Sequence, residues 1–157
     1  MSNFLSWPEA YQAGASVCGG KGYNLARLAR YGFRVPRGGV LAAGAPVSGI
    51  RRGLDQLGLL EAKVAVRSSA TAEDSARASF AGIHRSYLNV CGGNAVEQAA
   101  QGCIDSLQTL QAVTYRHRMG FGEEEVRCAV VICEMVEARC AGNMVARWPA
   151  SWRRSPG

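Results

Sequence analysis

The chain has 157 residues, 48% of them hydrophobic and 19% charged, a balance that suits one globular domain and excludes a low-complexity or disordered chain. Eighteen Lys and Arg against twelve Asp and Glu give a net charge of +6, but apart from Arg51-Arg52 and the group Arg147, Arg153 and Arg154 the basic residues stand singly, without the pattern of a nucleic-acid-binding module. The longest uncharged stretch, Gly38 to Ile50, is broken by Gly and Pro and is shorter than the ~20 apolar residues of a membrane span; Met1 to Tyr11 lacks a basic stretch followed by an apolar run. A soluble, cytoplasmic protein is expected.

In chain order, Leu25, Leu28 and Ala29 fall at helical spacing between Gly22 and Gly32, with Gly19 and Gly20 before them, which predicts a short helix opened by a glycine turn. Pro36 excludes a helix interior, and the Val40-Leu41 pair that follows favours a strand. Ile50, Leu54 and Leu57 make Gly49 to Gly58 one or two amphipathic helical turns. Lys63-Val-Ala-Val-Arg67 reads as a short strand, and Ser68 to Arg77, rich in hydroxyls and small residues, as the loop after it. Ser86 to Val90 reads as a second strand, and Gly92-Gly93-Asn94 as a turn with Asn94 the candidate helix cap. Val96, Ala99, Cys103, Leu107, Leu110 and Val113 recur every three or four residues and predict one long helix reaching about Met119. Glu123-Glu-Glu125 reads as a solvated turn rather than a metal site. Cys128 to Val136 has the composition of a buried strand, with Ala141 to Ala146 as its hairpin partner. From Trp148 neither period persists, so residues 1–147 are expected to form one domain and 148–157 an irregular tail.

Six cysteines (Cys18, Cys91, Cys103, Cys128, Cys133 and Cys140) include no C-x-x-C pair, and His84 and His117 lie far from any Cys pair. Free or structural thiols are expected, and no metal site. Three segments carry candidate chemistry. In Cys18-Gly-Gly-Lys-Gly-Tyr-Asn-Leu25, glycines at the mouth of a helix let the backbone approach a phosphate, and Lys21 adds a mobile positive charge; the bland alternative is a helix start with a surface lysine. It is not a Walker A loop, because Gly22 replaces the Ser or Thr that would hold magnesium. In Val64-Ala-Val-Arg-Ser-Ser-Ala-Thr-Ala-Glu-Asp-Ser75 a strand delivers Arg67, whose planar fork suits phosphate oxygens, unless it pairs structurally with Glu73 or Asp74. Ala78 to Ser86 offers backbone N–H groups near Gly82 and the hydroxyls of Ser79 and Ser86 as a phosphate lid, or is simply a turn. His84, with no visible partner, reads as an ordinary surface residue.

Taken in order, the glycine-lysine turn, the Val-Pro strand, Val-Arg-Ser-Ser-Ala-Thr-Ala-Glu-Asp, Ser-Phe-Ala-Gly and Tyr-Leu-Asn-Val resemble the N-terminal ATP-binding domain of phosphoenolpyruvate synthases and rifampin phosphotransferases. Pyruvate phosphate dikinase is similar at a greater distance. The resemblance runs from about Val17 to Gly142 and takes in Ser106-Leu107, Tyr115-Arg116 and Val130 to Val136. It implies an α/β (mixed α+β) fold, an ATP-grasp-like nucleotide-binding lobe that is incomplete here. It further implies that Lys21 and Arg67 contact ATP phosphates, that Gly82 and Ser86 belong to a phosphate-covering loop, and that Cys133, Glu134 and Val136 line the adenine pocket. Full-length relatives convert ATP, pyruvate and water to phosphoenolpyruvate, AMP and phosphate through a phosphohistidine, with Mg2+.

This sequence departs from that pattern in several places. Cys133 stands where the family usually has Gln, and a thiol does not donate and accept like an amide, which shifts adenine recognition to backbone groups of Glu134 and Val136. A helical insertion common in the family between the Val-Pro and Val-Arg-Ser-Ser strands is short here. The acidic Mg2+ ligands, the phosphohistidine domain and the pyruvate-binding domain would lie beyond Gly157. The expectation is therefore an ATP-binding part that is inactive alone, complemented by a separate polypeptide. The alternative is a non-catalytic interaction or regulatory remnant that has lost the nucleotide. Beyond Gly142 the family pattern is interrupted by Asn143, Ala146 and Trp148, as a change of reading frame would produce.

Overall fold

Every residue of Cys128-Ala-Val-Val-Ile-Cys133 is apolar, a pattern that a strand can bury only when both its faces are covered. The structure, a computed structural model describing residues 3–71, 85–109, 112–114, 118 and 127–140, places it accordingly. Strands β1 (Phe4–Ser6), β2 (Gly38–Leu41), β3 (Val64–Ala70), β4 (Ser86–Val90) and β5 (Cys128–Glu134) form one five-stranded sheet in the order β1-β2-β5-β3-β4. All neighbours are antiparallel. Among the described residues the helices α1 (Trp7–Ala13), α2 (Ala15–Arg30), α3 (Ile50–Gln56) and α4 (Gly93–Asp105) cover the two faces. On one face Cys128, Val130 and Ile132 meet Val64, Val66, Leu54 and Val96 under α3 and α4; on the other Ala129, Val131 and Cys133 meet Val40, Cys18 and Ala26 under α1 and α2. The alternation along β5 thus divides one sheet between two cores.

The N-terminal helix pair has local causes. Ser6 precedes α1 and donates both its N–H and its hydroxyl to the Glu9 carboxylate, at 2.8 and 2.6 Å, in a capping box. These bonds hold the Glu9 carboxyl below its ordinary pKa. Trp7 Nε1 donates to the Pro36 carbonyl at 3.0 Å, which ties α1 to the segment entering β2. The far end of α2 closes on Gly32, whose φ of 82° lets Gly32 N–H reach Ala29 O and Phe33 N–H reach Leu28 O, the bond pair that satisfies a helix's last carbonyls.

Several expectations need correction. β3 continues through Ser68, Ser69 and Ala70, paired with Val130, Ala129 and Cys128, where the hydroxyl-rich composition suggested a loop; the buried hydroxyl of Ser69 finds partners on α2. Asn94 is not the cap of α4. Gly92 is, with its carbonyl accepting from Val96 N–H, while Asn94 Oδ1 accepts from the Arg51 guanidinium. The long helix stops at Asp105, followed by a 3-10 turn over Ser106–Gln108 and an extended Thr109. Ser106 Oγ donates to Cys103 O at 2.6 Å, and Thr109 Oγ1 accepts from Ala112 N–H, so two hydroxyls compete with the helical ladder and restart it. β5 ends at Glu134, and over Val130–Cys133 both its edges are taken by β2 and β3; Ala141 to Ala146, read as its hairpin partner, lies outside the described residues.

Ile132 is fully buried at the centre of the sheet, so Ile132→Ala is expected to cost roughly 2–5 kcal/mol, the usual range for emptying such a site. Urea unfolding followed by circular dichroism measures this. A loss under about 1 kcal/mol would show that β5 is not sandwiched between two packed layers.

Candidate phosphate-binding site

Helix α2 is broken once, at Gly19, which adopts φ 66° and ψ 172°, a backbone conformation reserved in practice for glycine. A Cβ there would also collide with the carbonyl and hydroxyl oxygens of Ser69. The glycine-lysine turn read from the sequence is therefore a kink inside a longer helix, and Lys21 sits in the first turn after it. Lys21 is half-buried, and its positive charge acts on the Cys103 thiol of α4.

Ser69 joins the kink to β3. Completely buried, it donates its hydroxyl to Cys18 O at 2.9 Å and accepts from Gly22 N–H at 3.1 Å. The N-terminal N–H groups of a helix lack helical partners and are what an anion would use. One of them, Gly22 N–H, is satisfied by the protein itself, so the glycine-lysine turn offers fewer donors to a phosphate than its sequence suggests.

Two residues before Ser69, and so on the same face of β3, stands Arg67. It is exposed and sits opposite Ser86 of β4 on one side and Val131 of β5 on the other. Side chains in such register are about 5 Å apart at Cβ, so Arg67 and Ser86 are neighbours. Among the described residues no carboxylate reaches ion-pair distance of Arg67, and Glu73 and Asp74 lie outside them. Cys133 faces the same side, opposite Ala65. Its buried thiol is pushed up to about 11 by desolvation, with the Arg67 charge acting in the opposite sense.

The structure thus brings Arg67, Ser86 and Cys133 onto the sheet face that carries α2, with Lys21 joined to them through Ser69. Glu134 points the other way: its carboxylate takes two bonds from Arg37, at 2.8 and 2.7 Å, and its N–H donates to Arg37 O at 2.8 Å. Those bonds hold the Glu134 carboxyl below its ordinary pKa. Of the backbone groups expected to read adenine, the Glu134 N–H is already engaged. Val136 lies past the end of β5 and is 63% exposed. Gly82 and His84 lie outside the described residues. Among the described residues no group of three His, Cys, Asp or Glu could hold a metal ion, and no helix is long and apolar enough to cross a membrane. A groove of about 540 Å³ between α1 and α2, lined by Pro8, Tyr11, Ala26 and Arg30, includes neither Arg67 nor Ser69.

A two-faced antiparallel sheet with a lysine-bearing helix kink beside a strand-borne arginine fits a mixed α/β, ATP-grasp-like nucleotide-binding lobe. The sequence profile of the pyruvate phosphate dikinase AMP/ATP-binding domain matches residues 47–155. This chain belongs to that family. The match contains Arg67, Ser86 and Cys133 and begins after Lys21. Similar proteins include a probable phosphoenolpyruvate synthase of Archaeoglobus fulgidus, 47% identical over 91 residues, 58% of this chain and 12% of the relative. A rifampicin phosphotransferase of Streptomyces sviceus is 47% identical over 91 residues, covering 58% and 10%, and the phosphoenolpyruvate synthase of Pyrococcus furiosus 40% over 100 residues, covering 64% and 12%. The chain thus spans about a tenth of the length of these relatives.

All six cysteines are free, with Cys91 and Cys140 exposed and the other four buried. Desolvation raises Cys18 to about 11 and, with the neighbouring Cys128, Cys103 to about 12. Because the thiolate is the reactive form, iodoacetamide at pH 8 is expected to modify Cys91 and Cys140 first and the four buried thiols only on unfolding, as read by peptide mass spectrometry. Early modification of Cys133 would show that the face beside Arg67 opens to its sulfur.

Proposed function

We propose that this chain binds ATP as the nucleotide-binding part of a phosphoenolpyruvate synthase-like phosphotransferase, with Lys21 and Arg67 on the phosphates. One observation supports this above the others: the Ser69 hydroxyl holds the Lys21 turn against the strand that carries Arg67. Two segments whose cations stand 46 positions apart in sequence are thereby tied together by the β3 strand. Arginine supplies a bidentate fork and lysine a point charge, a complementary pair for a polyphosphate. Ser86, opposite Arg67, adds a hydroxyl donor, and Gly82 belongs to the covering loop. Adenine rests beside Cys133 and takes its polar contacts from the backbone near Val136, since the Glu134 N–H is engaged by Arg37.

Residues 1–147 act as the partial lobe and 148–157 as its tail, in the cytoplasm. Phosphoryl transfer needs Mg2+ and positioned acceptors as well as phosphate-binding cations, and the described residues provide no acidic cluster for the metal. On this reading the chain is inactive alone, and a separate polypeptide supplies the Mg2+ ligands and the second substrate's site.

Equilibrium dialysis with labelled ATP tests the reading. Lys21→Ala and Arg67→Ala are each expected to weaken binding roughly ten- to a hundredfold, the worth of a charge-assisted hydrogen bond. Absence of saturable binding by the unmodified chain at millimolar ATP would overturn it. Binding that is unchanged in both variants would place the nucleotide elsewhere.

A further inference from the structure

We infer that Ser69 is a positioning residue for phosphate binding: its hydroxyl sets where Lys21 stands relative to Arg67 and does not itself touch the nucleotide. The inference rests on the ATP reading above and adds to it a residue that neither cation's motif identifies. Ser69 is completely buried, and its hydroxyl is committed on both sides, donating to Cys18 O at 2.9 Å and accepting from Gly22 N–H at 3.1 Å. Those partners flank the Gly19 kink, so the hydroxyl replaces the backbone bonding that the kink interrupts.

The surroundings leave little freedom for another arrangement. A Cβ at Gly19 would collide with Ser69, and a Cβ at Gly22 would come within 3.0 Å of Val40 Cγ2, so α2 is held close to the sheet on both sides of Lys21. Arg67, two residues along the same strand face, is fixed by the ladder to Ser86 and Val131. Ser69 is therefore the polar link between a cation placed by the sheet and one placed by a helix turn. Without the hydroxyl, Cys18 O and Gly22 N–H lose a buried partner, and the turn is free to rotate Lys21 away from Arg67.

The test is a double-mutant cycle on ATP affinity in the full chain, with folding checked by circular dichroism. Ser69→Ala is expected to weaken ATP about tenfold, to add nothing in a Lys21→Ala background, and to add its full effect in an Arg67→Ala background. A purely structural loss would weaken ATP equally in both backgrounds, and that result would overturn the inference. So would Ser69→Ala that binds like the unmodified chain while Lys21→Ala does not, an outcome that leaves the ATP reading intact. No binding by the unmodified chain would remove the ATP reading and this inference together. Should Ser69→Ala not fold, amide exchange in the unmodified chain decides. The Gly22 amide is expected to be as protected as the helix interior with and without ATP. A Gly22 amide that exchanges freely and slows only with ATP would assign that N–H to the ligand and overturn the inference.

Discussion

The contact on which the arrangement depends is the close approach of α2 to the sheet at Gly19 and Gly22. No side chain fits at Gly19 against Ser69, and Gly22 lies directly over Val40. Both positions follow from the absence of a Cβ, one turn apart on the same side of the helix. Closeness of this kind lets a serine hydroxyl, the shortest polar side chain, reach a helix backbone. It also excludes water from Cys18, Ala26, Val40 and Val131, which form the smaller of the two cores. A bulkier residue at either glycine would lift α2, and the core and the Lys21 turn would be lost together.

The second consequence concerns what the sheet leaves uncovered. α1 and α2 lie over β1, β2, β5 and β3, whereas α2 has no substantial contact with β4. Arg67 and Ser86 are exposed on that side, and Leu88 of β4 is 61% exposed beside a bulge where Asn89 takes a φ of 57°. A bulge at an edge strand discourages further strand pairing. On the proposed reading this open strip is where the triphosphate lies. Arg67 is exposed there, and a site of this kind strengthens when something covers it and lowers the local dielectric.

Much of this was legible from periodicity. Ser86 to Val90 is a strand with the expected bounds, the Ile50-Leu54-Leu57 spacing marks a real helix, and the apolar run from Cys128 is the buried central strand. What escaped has identifiable causes. Helix α1 is short, and its cap signal, Ser6 with Glu9, stands before a segment with little apolar periodicity. The strand through Ser68 and Ser69 has a loop's composition because its hydroxyls are satisfied by tertiary contacts that no local rule sees. The predicted long helix kept its apolar spacing past the point where Ser106 and Thr109 redirect the backbone. At the site, the residue types of Lys21 and Arg67 were readable as anion-binding, but their convergence was not. It depends on one hydrogen-bonded serine 47 positions from its partner. The direction of Glu134 was likewise hidden, although alternation from Cys133 was the available signal.

The central claim is that the nucleotide's phosphates lie between the Lys21 turn and Arg67 of β3. Backbone amide chemical shifts recorded during an ATP titration of the isotopically labelled chain test it most directly. The account predicts that the largest changes fall on Gly20, Lys21 and Arg67 to Ala70, with little movement in α3. Changes concentrated instead on Pro8-flanking residues, Tyr11, Ala26 and Arg30, around the groove between α1 and α2, would contradict it.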